Sequence, residues 1–182
     1  MSGKYTNVKK ISLAAILITL GVVVSPFTWF PVPPTRANPT QHMLNALSGV
    51  LLGPLWAAFI ALCVGLIRMS LGTGTIFSLP GGIPGGIVVG LSYLFLRRLM
   101  GRHPELAALT EPIGTILIGV PLAVYLFAPL VGTTMVIDVV SIVWIFICIP
   151  GSVLGFIILK ALRATGLTRE SFSGTRLLAS SN

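Results

Sequence analysis

The chain has 182 residues, of which 54% are hydrophobic and only 9% are charged. A soluble domain usually carries about 25% charged residues, so this composition excludes a soluble globular protein and indicates an integral membrane protein. The net charge of +8 does not indicate a nucleic-acid partner, because the basic residues lie in short clusters between apolar runs. Such clusters orient a membrane protein in the bilayer. Cys63 and Cys148 lie inside apolar runs and form no disulfide or metal-binding pattern.

The apolar runs predict an all-α protein with six transmembrane helices, the second of them short. The predicted helices cover residues 11–31, 41–53, 55–70, 83–99, 107–128 and 136–163. Four prolines make a loop of residues 31–40, and Gly53-Pro54 separates the second helix from the third. Three regions are predicted in total: a cytoplasmic N-terminus (1–10), a membrane domain (11–163) and a flexible cytoplasmic tail (164–182).

The distribution of basic residues predicts that both termini are cytoplasmic. If residues 41–70 form two spans, one side of the membrane collects ten of the twelve basic residues and the other keeps Arg36 and Arg68. If they form one span, the split is eight against four. The positive-inside rule favours the first arrangement. The ten residues are Lys4, Lys9, Lys10, Arg97, Arg98, Arg102, Lys160, Arg163, Arg169 and Arg176.

A cluster of polar residues opens the short second helix. Gln41, His42 and Asn45 precede an almost wholly apolar run, and His42 and Asn45 are spaced to share a helix face. Burying such a group without a partner costs roughly 1–3 kcal/mol, so the cluster requires internal partners or a polar ligand. The alternative is a cap at the outer surface in which all three residues face water.

Other polar and aromatic residues are expected on the same outer side. The glycine-rich loop at 72–82 carries Thr75 and Ser78, and its GTGT lacks the lysine and spacing of a nucleotide-binding loop. Arg68 either extends to the outer interface or pairs with Asp138. A lone His42 is a poor metal site, and no catalytic carboxylate pair or nucleophile motif occurs. Trp56 and Trp144 are expected to pack against lipid or helices.

Three segments resemble one known family. The segments PTQHMLNALSGVLLGP, IRMSLGTGTIFSLPGG and TEPIGTILIG are similar to those of the ThiW-type S components of energy-coupling factor (ECF) vitamin transporters, over roughly residues 8–160. The resemblance implies a six-helix substrate-binding subunit in the plasma membrane of a prokaryote, without catalytic activity, cofactor or metal. Its implied partners are a transmembrane coupling subunit and two ATPase subunits, and its implied substrate is hydroxyethylthiazole, a precursor of thiamine.

The resemblance also suggests which residues bind the ligand and which bind the coupling subunit. Trp29 or Tyr125 would stack on the thiazole ring, while the remaining candidates would bond its polar atoms or close the loop over it. Those candidates are Gln41, His42, Asn45, Thr75, Ser78 and Asp138. S components commonly dock through small residues of the first helix, and the candidates here are Ala14, Ala15 and Thr19, although Ala14 and Ala15 could instead pack inside the bundle.

Three alternatives to the thiazole-importer interpretation remain from the sequence. The chain could serve another small heteroaromatic compound, such as thiamine or a pyrimidine precursor. It could be a stand-alone facilitator. The third alternative, a membrane enzyme, is disfavoured by the missing catalytic motifs.

Overall fold

The predicted helical segments all correspond to helices of the structure, a computed structural model that describes residues 2–32, 35–99 and 103–173. Within these residues the elements, in chain order, are α1 (Ser2–Thr28), β1 (Phe30–Val32), β2 (Thr35–Ala37), α2 (Pro39–Leu51), α3 (Pro54–Ser70), α4 (Ser78–Leu99), α5 (Pro104–Leu130), α6 (Ile137–Ala164) and α7 (Glu170–Ser173). The predictions for the side chains of Lys4, Arg102 and Arg176, for Pro33 and Pro34, and for the tail beyond residue 173 lie outside what the structure describes.

Four of these helices, α1, α4, α5 and α6, are long and apolar enough to cross a membrane. The helix α3 is a shorter apolar helix, and α2 has 13 residues. At about 1.5 Å per residue, α2 is only about 20 Å long, whereas the hydrocarbon core of a bilayer is about 30 Å thick. The chain is therefore an all-α, multi-pass membrane protein with one short helix.

The segment expected to be an irregular loop at 31–40 contains a small β-hairpin, which corrects the prediction. Strands β1 and β2 pair antiparallel, with Pro31 opposite Arg36. Proline cannot donate to a strand ladder, but in a two-stranded hairpin every strand is an edge strand and the missing donor is tolerated. The helix α4 likewise begins at Ser78, earlier than predicted, because Pro80 lies in its first turn, where proline is compatible with a helix.

The short helix α2 lies at the centre of the bundle. All its residues from Thr40 to Leu51 are buried, and it packs against α1, α3, α4, α5 and α6. It begins at Pro39, whose missing N–H would be unpaired at a helix start in any case. It ends where Gly53, with φ +97°, turns the chain into Pro54 of α3. The side chains of α2 from Thr40 to Leu51 are therefore inside protein.

The helix α5 is irregular because of its prolines. A proline has no N–H, so the carbonyl four residues before it loses its helical partner. Leu117 and Tyr125 stand four residues before Pro121 and Pro129, and each lies in a short π-helical stretch. Such stretches often occur near functional sites, and here they lie beside the hairpin half of the bundle.

The bundle has two distinct ends. At the hairpin end, a core cluster joins Ala37, Phe77 and Val140, and the Arg36 guanidinium donates to the Gly72 carbonyl. At the opposite end, Arg169 stacks on the Tyr93 ring at 4.7 Å. The stretch at 165–173, expected to belong to a flexible tail, thus packs against the bundle.

Glu170 connects α7 to the bundle at this opposite end. Its carboxylate lies 3.2 Å from an Arg97 nitrogen. Burial by itself raises the pKa of the Glu170 carboxyl, but hydrogen bonding to Thr168 and the charge of Arg97 outweigh burial and hold the pKa below its usual value.

Candidate functional site

The polar residues at the start of α2 are buried and do not face water. Gln41, His42 and Asn45 are 5%, 6% and 1% exposed. Ser152, which joins the same cluster, lies near the midpoint of α6. The interpretation of these residues as an aqueous cap therefore does not describe the structure, in which they lie within the bundle and have partners there.

Their main partner is Glu111, a carboxylate with 0% exposure. The Glu111 Oε1 atom lies 2.8 Å from His42 Nδ1 and accepts from Asn45 Nδ2 at 2.9 Å and Thr115 Oγ1 at 2.8 Å. The Ser152 hydroxyl lies 3.4 Å from Oε2. We call these five residues the central network; it connects α2, α5 and α6.

The number of protons that each group can donate decides which of these contacts are hydrogen bonds. The Ser152 hydroxyl also contacts the Cys148 carbonyl at 2.7 Å, and a hydroxyl has a single proton to donate. The shorter contact takes that proton, so Ser152 makes no hydrogen bond to Oε2 of Glu111, and the bonds of the network converge on Oε1. Because an ionised carboxylate only accepts, His42 Nδ1 carries a proton, and Nε2 is the ring atom left for another partner.

Glycines on the neighbouring helices make room for the network. A Cβ on Gly85 of α4 would overlap the Glu111 carboxylate. A Cβ on Gly151 of α6 would lie 2.7 Å from His42 Cβ. Small residues let helices approach closely in membranes, and here they let α4 and α6 close over the polar groups of α2 and α5.

A cavity of about 30 Å³ adjoins the central network on the hairpin side and is called the hairpin-end cavity below. Its polar lining residues are Arg36, Asn38, Gln41, His42, Arg68 and Ser78, and its large apolar ones are Phe77, Trp144 and Ile147. His42 belongs to both the cavity and the network. A cavity of this volume holds about one water molecule, so a ligand the size of a thiazole requires it to widen.

The other predicted ligand-binding residues do not all lie at the hairpin-end cavity. Trp29 lies under the Arg36 guanidinium, at 4.7 Å from the ring centre, and so touches a cavity-lining residue. The Thr75 carbonyl accepts from the Ser78 backbone amide at the start of α4. Tyr125 is 70% exposed and Asp138 is exposed at the start of α6. The structure therefore brings neither Tyr125 nor Asp138 into the cavity.

Arg68 follows neither of the two predictions made for it. Its side chain is 1% exposed and does not extend to the interface. All four acidic residues of the chain are among the described residues, and none, Asp138 included, lies within 4.0 Å of its guanidinium. Its Nη2 donates to the Thr73 carbonyl at 3.3 Å, and its Nε has no partner.

The small residues of α1 divide between two faces. Ala14 is 2% exposed and belongs to the core cluster of the bundle, so it corresponds to the alternative in which it packs internally. Ala15 and Thr19 are exposed. Only these two of the three predicted docking residues are available to a partner.

Sequence reasoning left several site residues unassigned, among them Glu111, Thr115, Ser152 and Trp144. Glu111 carried a usable signal, because it is the only acidic residue in the apolar stretch 107–128 and ionisable residues within membrane helices are usually functional. Trp144, expected to pack on lipid or helices, is 5% exposed and lines the cavity. The small hydroxyl residues gave no such signal.

The arrangement is suited to binding a small polar aromatic molecule. Apolar walls with a few fixed polar groups are typical of small-molecule sites, and Glu111 fixes the orientation of the His42 ring. Among the described residues, no three His, Cys, Asp or Glu side chains come together as a metal site.

Comparison with known proteins identifies the family. No curated protein and no solved structure matches the chain. The family model described as thiamine-precursor transporter protein (ThiW) matches residues 11–165. This stretch includes the whole central network and every residue of the hairpin-end cavity. The chain belongs to the ThiW family of thiamine-precursor transporter proteins.

Proposed function

We propose that this protein is the substrate-binding subunit of an ECF-type importer in the plasma membrane of a prokaryote. It captures hydroxyethylthiazole from outside and delivers it through a transmembrane coupling subunit driven by two ATPase subunits. The observation that carries the proposal is the match to a thiamine-precursor transporter family in a chain whose central helix presents His42 to a cavity. The ligand is neutral and aromatic, with a hydroxyl and a ring nitrogen, and suits an apolar cavity with few polar groups.

In this proposal the thiazole ring nitrogen, which can only accept, takes a hydrogen bond from His42 Nε2, so His42 carries a proton on both ring nitrogens in the complex. The ring stacks on Trp144. Glu111 accepts from His42 Nδ1 and leaves Nε2 to the ligand. Trp144 has its ring edge against Gly81 of α4 and lines the same cavity. Trp29 affects the ligand only through Arg36, the cavity-lining residue on which it stacks.

Titration calorimetry of hydroxyethylthiazole against the purified protein tests the site. His42→Ala should weaken binding about ten- to a hundredfold, because one direct hydrogen bond is lost and its partner is left unpaired. The matched control is His103→Ala, since His103 is exposed at the opposite end of the bundle. Equal affinities for the two variants would place the ligand elsewhere, and absence of binding by the wild type would refute the proposed substrate.

The proposed orientation has six spans and cytoplasmic termini. It is supported by the alternating direction of the six helices, which leaves residues 10 and 164 at the end opposite the hairpin, and by the basic residues described at that end. In a background with Cys63→Ala and Cys148→Ala, a membrane-impermeant maleimide should label Thr134→Cys in intact cells. Ser2→Cys and Thr165→Cys should react only after permeabilisation. Labelling of all three in intact cells would contradict the orientation.

Docking to the coupling subunit is proposed for the exposed face of α1 that contains Ala15 and Thr19. A bulky Ala15→Trp should abolish uptake by cells that contain the energising module but leave calorimetric binding unchanged, because it obstructs the partner and not the cavity. Leu20→Trp is the matched control, since it lies about 140° around the helix from Ala15 and is also exposed. Equal loss of uptake in both variants would argue against a specific docking face.

A further inference from the structure

Two buried polar atoms beside the hairpin-end cavity lack partners. They are Oε1 of Gln41, a hydrogen-bond acceptor, and Nε of Arg68, a hydrogen-bond donor. Both residues line the cavity, and their side chains are at least nine-tenths buried. A buried polar group without a partner is costly, and buried polar groups are rarely left in this state.

Another polar atom of each side chain already has a partner. Gln41 Nε2 donates to Asn45 Oδ1 at 3.3 Å, which holds the amide against the central network. Arg68 Nη2 donates to the Thr73 carbonyl. The unpartnered acceptor and the unpartnered donor therefore belong to side chains that are fixed in place.

We propose that Arg68 Nε and Gln41 Oε1 form the subsite for the alcohol group of the substrate, an inference that rests on the proposed function. A hydroxyl accepts from Arg68 Nε and donates its own proton to Gln41 Oε1, so it satisfies both atoms at once. The volume of about 30 Å³ suits one oxygen atom with its carbon. The positive charge of Arg68, which has no acidic partner, strengthens the bond to the hydroxyl oxygen.

The same geometry discriminates against related groups. A carboxylate or phosphate oxygen would pair with Arg68 but has no proton for Gln41 Oε1, so it leaves that acceptor unpaired. The site is thus expected to select the free alcohol over its phosphate ester and over an acid of similar length. With His42 on the network side, the substrate lies with its ring toward Glu111 and its alcohol toward the hairpin.

Calorimetry with three ligands and the wild-type protein tests the subsite without a variant that could misfold. The ligands are hydroxyethylthiazole, the analogue with an ethyl group in place of hydroxyethyl, and the analogue with a carboxymethyl group. The alcohol should bind about ten- to a hundredfold more tightly than the ethyl analogue, and more tightly than the acid. Equal binding of alcohol and ethyl analogue would mean that a water molecule bridges the two atoms and would overturn the inference. Tighter binding of the acid would overturn it in favour of an anion site.

Two variants then test whether Arg68 and Gln41 cause the preference for the alcohol over the ethyl analogue. Arg68→Met and Gln41→Leu should each reduce the preference for the alcohol over the ethyl analogue to near unity, because each removes one of the two partners of the hydroxyl. A preference that survives in both variants would refute the subsite. If the wild type binds none of the three ligands, the proposed function fails, and that outcome differs from loss of the preference alone.

Discussion

Replacing Glu111 by alanine should lower the free energy of unfolding in detergent by about 3–5 kcal/mol, the cost typical of removing one partner from a buried charged pair. The substitution removes the acceptor shared by His42, Asn45 and Thr115. His42 Nδ1 and Asn45 Nδ2 would then lose this partner inside the bundle, at about 1–3 kcal/mol apiece, whereas the Thr115 hydroxyl could turn to the Gly81 carbonyl at 3.1 Å. For a chain of this size, the midpoint of thermal unfolding should fall by roughly 6–20 °C.

Two further variants separate the charge of Glu111 from its role as an acceptor. In Glu111→Gln the amide oxygen can replace Oε1 and keep all three bonds, while its NH₂ group points toward the Ser152 hydroxyl. We expect a loss of only about 1 kcal/mol, the difference between a charged and a neutral acceptor. Asp138→Ala removes an exposed carboxylate and should change stability by less than about 0.5 kcal/mol. If Glu111→Ala unfolds at the same temperature as Asp138→Ala, the network does not stabilise the bundle.

The positions of the helices were predictable because proline and glycine mark their ends. The pair Gly53-Pro54 separates α2 from α3 in the structure as the sequence indicates. The hairpin was not predictable, since its strands have three residues each, too few for an alternating pattern to emerge. The hairpin also contacts residues far along the chain, such as Gly72, whose carbonyl accepts from Arg36, and no local signal contains these contacts.

Two of the five residues of the central network were predictable as site residues, and three were not. His42 and Asn45 stand out as polar residues one helical turn apart in an apolar run. Their acceptor, Glu111, lies 69 residues from His42 along the chain, and spacing within one helix does not predict which other helix faces it. A buried carboxylate could be suspected from Glu111 alone, but its partners required the packing of α2 against α5.

The aromatic candidates show a limit that is specific to membrane proteins. In a soluble protein, an apolar face indicates the core. In a bilayer, lipid is as apolar as the core, so the pattern does not separate the two. Tyr125 and not Trp144 was therefore proposed from the sequence for stacking on the ligand, yet Tyr125 is 70% exposed and Trp144 is 5% exposed.

Replacing Gly114 by alanine should destabilise the protein, although the same change usually stabilises a helix. Gly114 has helical backbone angles, and alanine in a helix interior is ordinarily favoured by about 0.5–1 kcal/mol. Here the added Cβ would lie 2.5 Å from the Pro84 carbonyl oxygen and 2.8 Å from Val88 Cγ2. A backbone carbonyl cannot rotate away, so α4 and α5 must separate.

That separation would also disturb the site, because the hydroxyl of Thr115, the next residue, donates to Glu111 at 2.8 Å and lies 3.1 Å from the Gly81 carbonyl oxygen of α4. Overpacking of this kind costs about 1–3 kcal/mol, which corresponds to a fall of roughly 2–12 °C in the unfolding midpoint.

The matched control is Gly65→Ala in α3, where the nearest atom to the new Cβ is Leu79 Cδ2 at 2.8 Å, the end of a flexible side chain that can turn aside. Thermal unfolding of both variants in one detergent should place Gly114→Ala below the wild type and Gly65→Ala at or above it. The reverse order would show that α4 and α5 are not held in contact at Gly114.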